Sequence, residues 1–242
     1  MRKHRFYHPG PLELGKSYLL DEANNHQIIK VLRLKPEQEI WLFNNANTEF
    51  KANIQRVNNN VVTVVVNDQI PNNKESNCQI YLVQAIAKGQ KMDYIIQKSV
   101  ELGVSAIIPL ISERTIVNIA AEKIPSRIEH WQKIIIGACC QCGRSILPTI
   151  QSPIDFKEWI IKNQNVTQII LDPSSNNSIT NVSAQNQINL LVGPEGGFSQ
   201  EELAWAKQRN CLGISLGPRI LRTETASIVV ISALQTQFGD LK

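Results

Sequence analysis

The fold is decided most directly by one stretch of the chain, Leu190-Leu191-Val192-Gly193-Pro194-Glu195-Gly196-Gly197-Phe198-Ser199. A hydrophobic run passes into a turn with three glycines, and Ser199-Gln200-Glu201-Glu202 then has the form of a capping box that opens a helix. This order is typical of a parallel α/β sheet, whose ligands bind at the carboxyl ends of the strands. We therefore expect the turn to hold a ligand; a plain strand-to-helix turn is the alternative.

The residues of this turn narrow the class of ligand. Its glycine spacing is neither G-x-G-x-x-G nor a Walker A loop, which argues against a dinucleotide and against a triphosphate. Glycines allow positive φ angles and a close approach of the ligand to the backbone. Glu195 would oppose a phosphate, so the turn suits a ligand with positive charge.

A second stretch has the same design, Leu216-Gly217-Pro218-Arg219-Ile220-Leu221-Arg222-Thr223-Glu224-Thr225-Ala226. One interpretation is that Thr223 caps the following helix and that Glu224 complements the helix dipole from its first turn. This interpretation leaves Arg219 and Arg222 beside a helix N-terminus, where cations are unfavourable unless an anion binds nearby.

Outward from these stretches, the chain divides into two regions. Before residue 70, short runs of Val, Ile and Leu between turn-forming clusters predict a small β-barrel with strands at 17–20, 27–34, 39–43, 49–57 and 61–66. From Cys78 onward, strands at 79–87, 106–111, 168–171, 189–192 and 213–216 alternate with helices, including 124–143 and 156–163. A C-terminal helix would bury Ala226, Val229, Val230, Ala233 and Leu234. We predict a barrel domain at 1–71, a linker at 72–77 and an α/β domain at 78–242.

The composition bounds the class of protein. With 242 residues, 43% of them hydrophobic and 19% charged, the chain is neither disordered nor collagen-like nor a coiled coil. A net charge of +4 permits a polyanionic partner without demanding one. The N-terminus lacks the apolar stretch of a secretory signal, and no run of about 18 apolar residues predicts a membrane helix. These features predict a cytoplasmic protein.

The five cysteines, three of them in Cys139-Cys140-Gln141-Cys142, form a poor disulfide framework. One C-x-x-C without a second ligand pair does not make a zinc site, and we predict no metal. A nucleophilic cysteine paired with His130 lacks a third group to orient the histidine.

Basic and aromatic residues alternate at the N-terminus, where Arg2, Lys3, Arg5, Phe6 and Tyr7 suit contacts with RNA. A solvated basic tail is the alternative interpretation.

These segments together resemble a known family. The resemblance rests on both glycine-containing stretches and on four shorter motifs, Arg5-Phe6-Tyr7, His26 with Val31-Leu32-Arg33, 98–104 (Lys-Ser-Val-Glu-Leu-Gly-Val) and Ser112-Glu113-Arg114. The chain is identified as a member of the ribosomal RNA small subunit methyltransferase E family, the 16S rRNA (uracil-1498-N3) methyltransferases of the SPOUT superfamily. One departure is Cys140, where the family has a glutamate before Gln141.

The resemblance implies a PUA-like β-barrel that helps to hold RNA, followed by a SPOUT α/β-knot methyltransferase domain with a deep trefoil knot. It also implies S-adenosylmethionine as cofactor, 16S rRNA of the small ribosomal subunit as partner, and a homodimer. The reaction would transfer a methyl group to N3 of a specific uridine.

The implied site residues fall into three groups. By loop position, Glu224 is the expected base and Arg222 the group that favours the uracil anion or grips a phosphate. The cofactor would be bound by three loops, comprising Leu171, Asp172, Pro173, Val192, Gly193, Pro194, Glu195, Gly196, Gly197, Leu216, Gly217, Ile220, Leu221, Thr225 and Ala226. RNA would be contacted by Arg2, Lys3, Arg5, Phe6, Tyr7, His26, Arg33, Arg114, Arg144 and Arg219.

Two other functions stay open at this point. The chain could be a SPOUT methyltransferase for another RNA, acting on tRNA or on a ribose 2′-hydroxyl. It could instead be a non-catalytic assembly factor that only binds rRNA, although a binder has no need of the Gly-Pro-Glu-Gly-Gly turn.

Overall fold

The structure, a computed structural model, describes residues 3–183 and 186–241. Two compact units are present. The first contains the residues up to Glu75 together with Cys139–Leu147, and the second contains Ser76–Ala138 and the chain from Pro148 onward. The sequence-based division differs, because it assigns residues 139–147 to the second region.

The first unit is built on a five-stranded sheet. Its elements are β1 (Arg5–Tyr7), β2 (Ser17–Leu19), α1 (Glu22–His26), β3 (Glu39–Phe43), β4 (Thr48–Asn58) and β5 (Val61–Pro71). The strand order is β1-β3-β4-β5-β2, with β1 parallel to β3 and the other pairs antiparallel. Irregular pairing in β4 near Ala52 and near Arg56 raises the local twist of this sheet. Among the described residues β1 and β2 are the outer strands of this order, so strand pairing does not close the ring.

The predicted strand at 27–34 is wrong. Asp21 caps α1, because its side chain accepts a hydrogen bond from the Asn24 amide at 2.8 Å. The helix continues directly into a π-helical turn, Gln27–Leu32, which buries Ile28. The turn ends at Arg33, whose φ of 53° lies in the left-handed region. The run of β-branched residues suggested a strand, but the capped start upstream of it sets the helical conformation.

Arg5 lies at the centre of the first unit and is 7% exposed. Its guanidinium pairs with Glu49 Oε1 at 2.6 Å and donates to the carbonyls of Cys139 and Arg144. Asn72 donates to the carbonyl of Gly143 at 2.9 Å. These contacts are the physical reason why residues 139–147 belong to the first unit.

Cys139 and Cys142 lie in the last turn of the helix that enters this segment, and all five cysteines are free thiols. A hydrogen bond from Cys139 lowers the pKa of the Cys142 thiol, against the effect of burial, and the nearby Arg144 and Arg5 charges lower it further. Burial raises the pKa of Cys140 to about 11. Within residues 3–183 and 186–241, no group of three or more His, Cys, Asp and Glu side chains is placed to hold a metal ion.

Because the thiolate is the reactive form, we expect Cys142 to be alkylated first when the native protein meets iodoacetamide at pH 7. Peptide mass spectrometry over time measures the order of labelling. Cys140 and Cys211, whose thiol pKa values burial raises, are the internal controls. Labelling of Cys140 before Cys142 would contradict the predicted order.

The second unit contains a parallel sheet. Its elements are β6 (Gln79–Ala85), α2 (Gln90–Glu101), β7 (Ala106–Ile111), α3 (Ile124–Cys142), β8 (Thr149–Ile150), β9 (Ile154–Asp155), α4 (Phe156–Lys162), β10 (Thr167–Leu171), β11 (Gln187–Val192), α5 (Gln200–Lys207), β12 (Leu212–Ile214) and α6 (Thr223–Phe238). The last turn of α3, from Cys139, belongs to the first unit. The order is β12-β10-β11-β6-β7-β8, β9 also pairs with β7, and every recorded pair is parallel. The predicted α/β class and parallel sheet are confirmed.

The predicted buried face of the last helix is partly wrong. α6 buries Thr223, Ser227, Val230, Ile231, Leu234 and Gln235, whereas Val229 is 39% exposed. Polar residues take part of the buried face because they have hydrogen-bond partners there; the Gln235 amide donates to the Leu102 carbonyl at 3.0 Å. No helix among the described residues is long and apolar enough to cross a membrane.

Candidate functional site

The carboxyl edge of the parallel sheet gathers the loops that follow β10, β11 and β12. These are the three loops that the sequence predicted, at Leu171–Pro173, Gly193–Gly197 and Leu216–Ala226. The loop after β6 lies at the same edge, since β6 pairs in parallel with β11. Parallel strands therefore bring loops from distant parts of the sequence to one place.

Two of the loops line a recess. Leu171, Asp172 and Pro173 form one side, and the other side contains Ile214, Ser215, Leu216, Gly217, Arg219, Leu221 and Ala226. Most of these side chains are apolar. Of the other predicted cofactor residues, Ile220 is 88% exposed, Thr225 is exposed, and the residues from Val192 to Gly197 form a separate turn beside the network described below.

The turn after β11 has little room around its first glycine. A Cβ atom on Gly193 would lie 3.1 Å from the Phe198 amide nitrogen and 3.2 Å from two backbone atoms of Gly197. The Gly197 amide donates to the Pro194 carbonyl at 2.9 Å, and Gly197 has a φ of 67°. Both glycines are therefore required by the shape of the turn.

We expect Gly193→Ala to weaken cofactor binding by at least about tenfold, because neighbouring backbone must shift to admit the methyl group. Isothermal titration with S-adenosylmethionine measures the change. Gly137→Ala is the matched control, since a Cβ at Gly137 in α3 meets nothing within 4 Å. That control should bind normally and gain about 0.5–1 kcal/mol of stability. Unchanged binding by Gly193→Ala would remove this turn from the site.

A buried polar network ties the start of α6 to two strand ends. The Thr223 hydroxyl donates to the Gly193 carbonyl at 2.7 Å and accepts from the Gln84 amide at 3.1 Å. The Ser227 hydroxyl donates to Gln84 Oε1 at 2.6 Å, and Gln84 and Ser227 are fully buried. The interpretation of Thr223 as the helix cap is thus wrong: Arg222 occupies the cap position, and the Thr223 side chain holds the glycine turn.

Three charged side chains meet beside this network. Glu195 Oε1 accepts from the Lys88 amide at 3.1 Å and from Lys91 Nζ at 3.2 Å. Lys91 Nζ also lies 4.0 Å from Glu224 Oε2. Burial would raise the pKa of Glu195, but hydrogen bonds from its own amide and from Lys88 and Lys91 outweigh burial and lower it. Among the described residues Glu224 Oε2 is buried and forms no hydrogen bond.

The Ser112-Glu113-Arg114 motif forms hydrogen bonds with the glycine turn and with the start of the helix that follows it. Arg114 donates to the Gly196 carbonyl at 3.0 Å, and Glu113 accepts from the Ser199 hydroxyl at 2.6 Å. The predicted capping box is confirmed, because Ser199 and Glu202 bond reciprocally. Arg114 makes this structural contact and is also exposed, so RNA could reach its side chain.

The structure separates the predicted RNA contacts by exposure. Lys3, His26, Arg33, Arg114 and Arg219 are exposed, and Tyr7 is half-buried. Arg5, Phe6 and Arg144 are buried in the first unit, and Arg144 pairs with Glu75 at 2.6 Å. Arg2 lies outside the described residues.

Lys88, Lys91 and Gln84 are site residues that the sequence analysis missed. The signal for the two lysines was the end of β6, where 85–91 (Ala-Ile-Ala-Lys-Gly-Gln-Lys) follows a buried strand as the three predicted loops do. Gln84 gave no signal, since one glutamine inside an apolar strand does not reveal its partners.

The residues of the recess fit S-adenosylmethionine. The apolar lining of the recess suits the adenine ring. The Asp172 carboxylate in that lining, and those of Glu195 and Glu224 outside it, suit a sulfonium cation with an ammonium group. The orphaned Glu224 Oε2 needs a hydrogen-bond donor from outside the chain, because a buried acceptor without one is costly.

Comparison with known proteins gives the family. The family described as RNA methyltransferase domain matches residues 74–235, and the RNA methyltransferase PUA domain matches residues 21–67. A ribosomal RNA small subunit methyltransferase E from Buchnera aphidicola is 39% identical over 98% of this chain and 95% of its own length. The Bacillus subtilis protein of the same name is 29% identical over 93% of this chain and 92% of its own length.

Solved structures agree with this match. A Legionella pneumophila methyltransferase in complex with S-adenosylmethionine is 39% identical and covers 100% of both chains with a TM-score of 0.97. The Neisseria gonorrhoeae ribosomal RNA small subunit methyltransferase E, bound to S-adenosylmethionine, is 34% identical and covers 99% of this chain and 100% of its own with a TM-score of 0.92. This chain, with its PUA-like and α/β methyltransferase domains, belongs to the ribosomal RNA small subunit methyltransferase E family.

Proposed function

We propose that this chain methylates N3 of one uridine, at the position numbered 1498 in the family's name, in 16S rRNA of the small ribosomal subunit in the cytoplasm. The observation that carries the proposal is the position of three loops at the carboxyl edge of the sheet, two of which line the recess, together with the orphaned carboxylate oxygen of Glu224 at the start of α6. Family membership supplies the class of reaction, and this geometry supplies the residues.

The residues of the recess would hold the cofactor. Leu171, Leu216, Leu221 and Ala226 would enclose its adenine, and the Gly193 turn would present backbone groups to its polar end. When bound, S-adenosylmethionine supplies an electrophilic methyl group and leaves as S-adenosylhomocysteine. The uracil N3 becomes a nucleophile only after its proton is removed, and the protein must supply the group that removes this proton.

Glu224 is the proposed base. Its Oε2 is buried and accepts no hydrogen bond among the described residues, so it can accept the N3 proton, and Lys91 Nζ lies 4.0 Å away. Arg222 precedes Glu224 and is exposed, and its side chain forms no hydrogen bond or ion pair within the described residues. It could stabilise negative charge on the uracil or bind a phosphate of the RNA.

Exposed basic residues on both units support the RNA substrate. In the first unit, His26 closes α1 and Arg33 ends the π-helical turn, both exposed to solvent. In the second unit, Arg219 and Arg222 lie on either side of Ile220, which is 88% exposed, in the loop before α6. Phosphate contacts from such side chains position RNA, and an exposed apolar residue can support an unstacked base.

We also propose the trefoil knot and the homodimer. After the outer strand β12, the chain returns toward the middle of the sheet and begins α6 beside Gly193. The hydrogen bond from the Thr223 hydroxyl to the Gly193 carbonyl holds the start of α6 there. This path of the chain supports a threaded topology. On α6, Val229 is 39% exposed and Ala226 and Ala233 are half-buried, which supports a second copy covering this face. Sedimentation equilibrium of the purified protein tests the dimer.

The test of the function is methylation of small subunits and of 16S rRNA from a strain that lacks this activity. Wild-type protein with labelled cofactor should give one N3-methyluridine, located by mass spectrometry of nuclease fragments. A product in tRNA or on a ribose 2′-hydroxyl would favour a different SPOUT activity. Cofactor that fails to bind would favour a non-catalytic rRNA-binding protein.

A further inference from the structure

A second cleft lies in the second unit, apart from the recess proposed to hold the cofactor. It has a volume of about 290 Å³, near the lower end of the roughly 300–1,000 Å³ range of small-ligand sites. Its lining comes from the end of β6, from α2, from the segment before α3, and from α3 itself. The apolar part contains Ile86, Met92, Val117, Ile119 and Trp131. Such walls can enclose the two faces of a flat ring.

Within the part of the chain that the structure describes, two buried polar atoms in the residues of this cleft have no hydrogen-bond partner. Trp131 is 1% exposed, and its indole Nε1 is buried with no hydrogen-bond acceptor among the described residues. Asp93 Oδ1 is likewise buried with no donor there. Each such group costs free energy in the folded protein, because it has lost water without gaining a protein partner. The unpaired donor and the unpaired acceptor therefore both belong to residues that line the same cleft, and both atoms lie beneath its water-accessible surface.

Three residues with titratable or charged side chains, Asp93, His130 and Arg127, line the rim of the cleft. Asp93 Oδ2, the other carboxylate oxygen, lies 2.8 Å from His130 Nε2, so this pair fixes the orientation of the carboxyl group. Arg127 precedes His130 by almost one turn of α3 and is exposed. Among the described residues its guanidinium forms no ion pair, so it can bind an anion at the mouth of the cleft.

A nucleotide matches this set of features. A nucleobase is a flat ring that carries a hydrogen-bond donor next to an acceptor on its edge, and a phosphodiester supplies the anion. We propose that the cleft binds one unstacked nucleotide of the RNA substrate, with the base edge toward Asp93 and Trp131 and a phosphate toward Arg127. This inference rests on the proposed function, which supplies RNA as the ligand.

The cleft is connected to the methyl-transfer site through one short segment. Ile86, Ala87 and Gly89 line the cleft, and the amide of the intervening Lys88 donates to Glu195 of the glycine turn. Asp93 follows Lys91, which contacts both Glu195 and Glu224, in the first turn of α2. The bound nucleotide is therefore a neighbour of the target uridine and not the target itself.

A direct test uses the wild-type protein labelled with ¹⁵N-tryptophan. Four indole signals are expected, from Trp41, Trp131, Trp159 and Trp205, and Trp131→Phe assigns the one of interest. Titration with uridine, cytidine, adenosine and guanosine 5′-monophosphates should shift the Trp131 signal with at least one of them. S-adenosylmethionine should leave that signal in place. Because this readout needs no methylation, it does not depend on the proposed reaction.

A kinetic test uses Arg127→Ala, a change at an exposed position that leaves folding intact. The RNA KM should rise about fivefold, as expected for one lost hydrogen bond, with kcat and cofactor affinity unchanged. Lys133→Ala is the matched control, since Lys133 is exposed on the same helix and pairs only with Glu129 in the described structure. Trp131→Phe, which keeps the ring and removes the N–H, should raise the RNA KM by a similar factor.

The outcomes separate the two proposals. If no nucleotide shifts the Trp131 signal and Arg127→Ala behaves like Lys133→Ala, the cleft does not bind RNA, whatever the protein methylates. If the Trp131 signal shifts but wild-type protein fails to methylate rRNA, the nucleotide site stands and the proposed function falls.

Discussion

Replacement of Glu224 by glutamine should slow methyl transfer by about 10²–10⁴-fold while S-adenosylmethionine still binds. Glutamine keeps the size of the side chain and offers an oxygen, but it cannot take up the N3 proton. The buried Oε2, which no described group bonds, is the atom on which this expectation depends. Single-turnover rates at saturating RNA and cofactor measure the effect.

The control for this variant is Glu201→Gln, an exposed carboxylate in the first turn of α5 outside the recess. It should methylate at the wild-type rate. A Glu224→Gln protein that binds cofactor and keeps a near-normal single-turnover rate would show that the N3 proton leaves by another route. In that case Lys91, the cation between Glu195 and Glu224, would be the next residue to examine.

Arg5→Met should destabilise the first unit by about 3–5 kcal/mol, because it leaves a buried carboxylate without its cation. Arg5 pairs with Glu49 at 2.6 Å, and its guanidinium also satisfies the Arg144 carbonyl and the Ser145 hydroxyl. Lys3, whose Nζ lies 3.5 Å from Glu49 Oε2 and is about half exposed, compensates only weakly.

Hydrogen exchange of the β3 and β4 amides is the suitable measurement, since it reports on this unit alone. Lys51→Ala is the control, because it breaks only the exposed pair with Glu39 and should leave the exchange rates unchanged. Exchange rates of Arg5→Met that equal those of the wild type would mean that the buried pair does not stabilise the unit.

The sequence was sufficient to predict most of the second unit. Helix and strand alternation gave the parallel sheet, and Ser199-Gln200-Glu201-Glu202 gave a helix start that the structure confirms. Because parallel strands place their carboxyl ends at one edge, the loops after β10, β11 and β12 could be grouped into one site before any coordinates were known.

The errors have two physical causes. At 27–34 the apolar β-branched residues predicted a strand, but the Asp21 cap and the burial of Ile28 favour a helix that widens into a π-turn. On α6, periodicity selected Val229 for burial, whereas hydrogen bonds bury Ser227 and Gln235 instead. Hydrophobic patterns contain no information about which polar residues will find partners in the core.

The N-terminal motif shows the same limit from the functional side. Arg5-Phe6-Tyr7 has the composition of an RNA contact, yet two of its three side chains are buried. Sequence cannot distinguish an arginine that binds RNA from one that binds backbone carbonyl groups of the same protein, because both tasks use the same guanidinium donors. The exposed Lys3, His26 and Arg33 and the half-buried Tyr7 remain predicted RNA contacts of this unit.

The membership of Cys139–Leu147 in the first unit has a consequence for synthesis on the ribosome. Domains generally fold as units in the order in which they emerge during translation. Here the carbonyl groups that receive Arg5 and Asn72 are translated more than 60 residues after Glu75. The nascent N-terminal sheet can pair Arg5 with Glu49, but the carbonyl contacts of Arg5 and Asn72 form only after much of the second unit has left the exit tunnel.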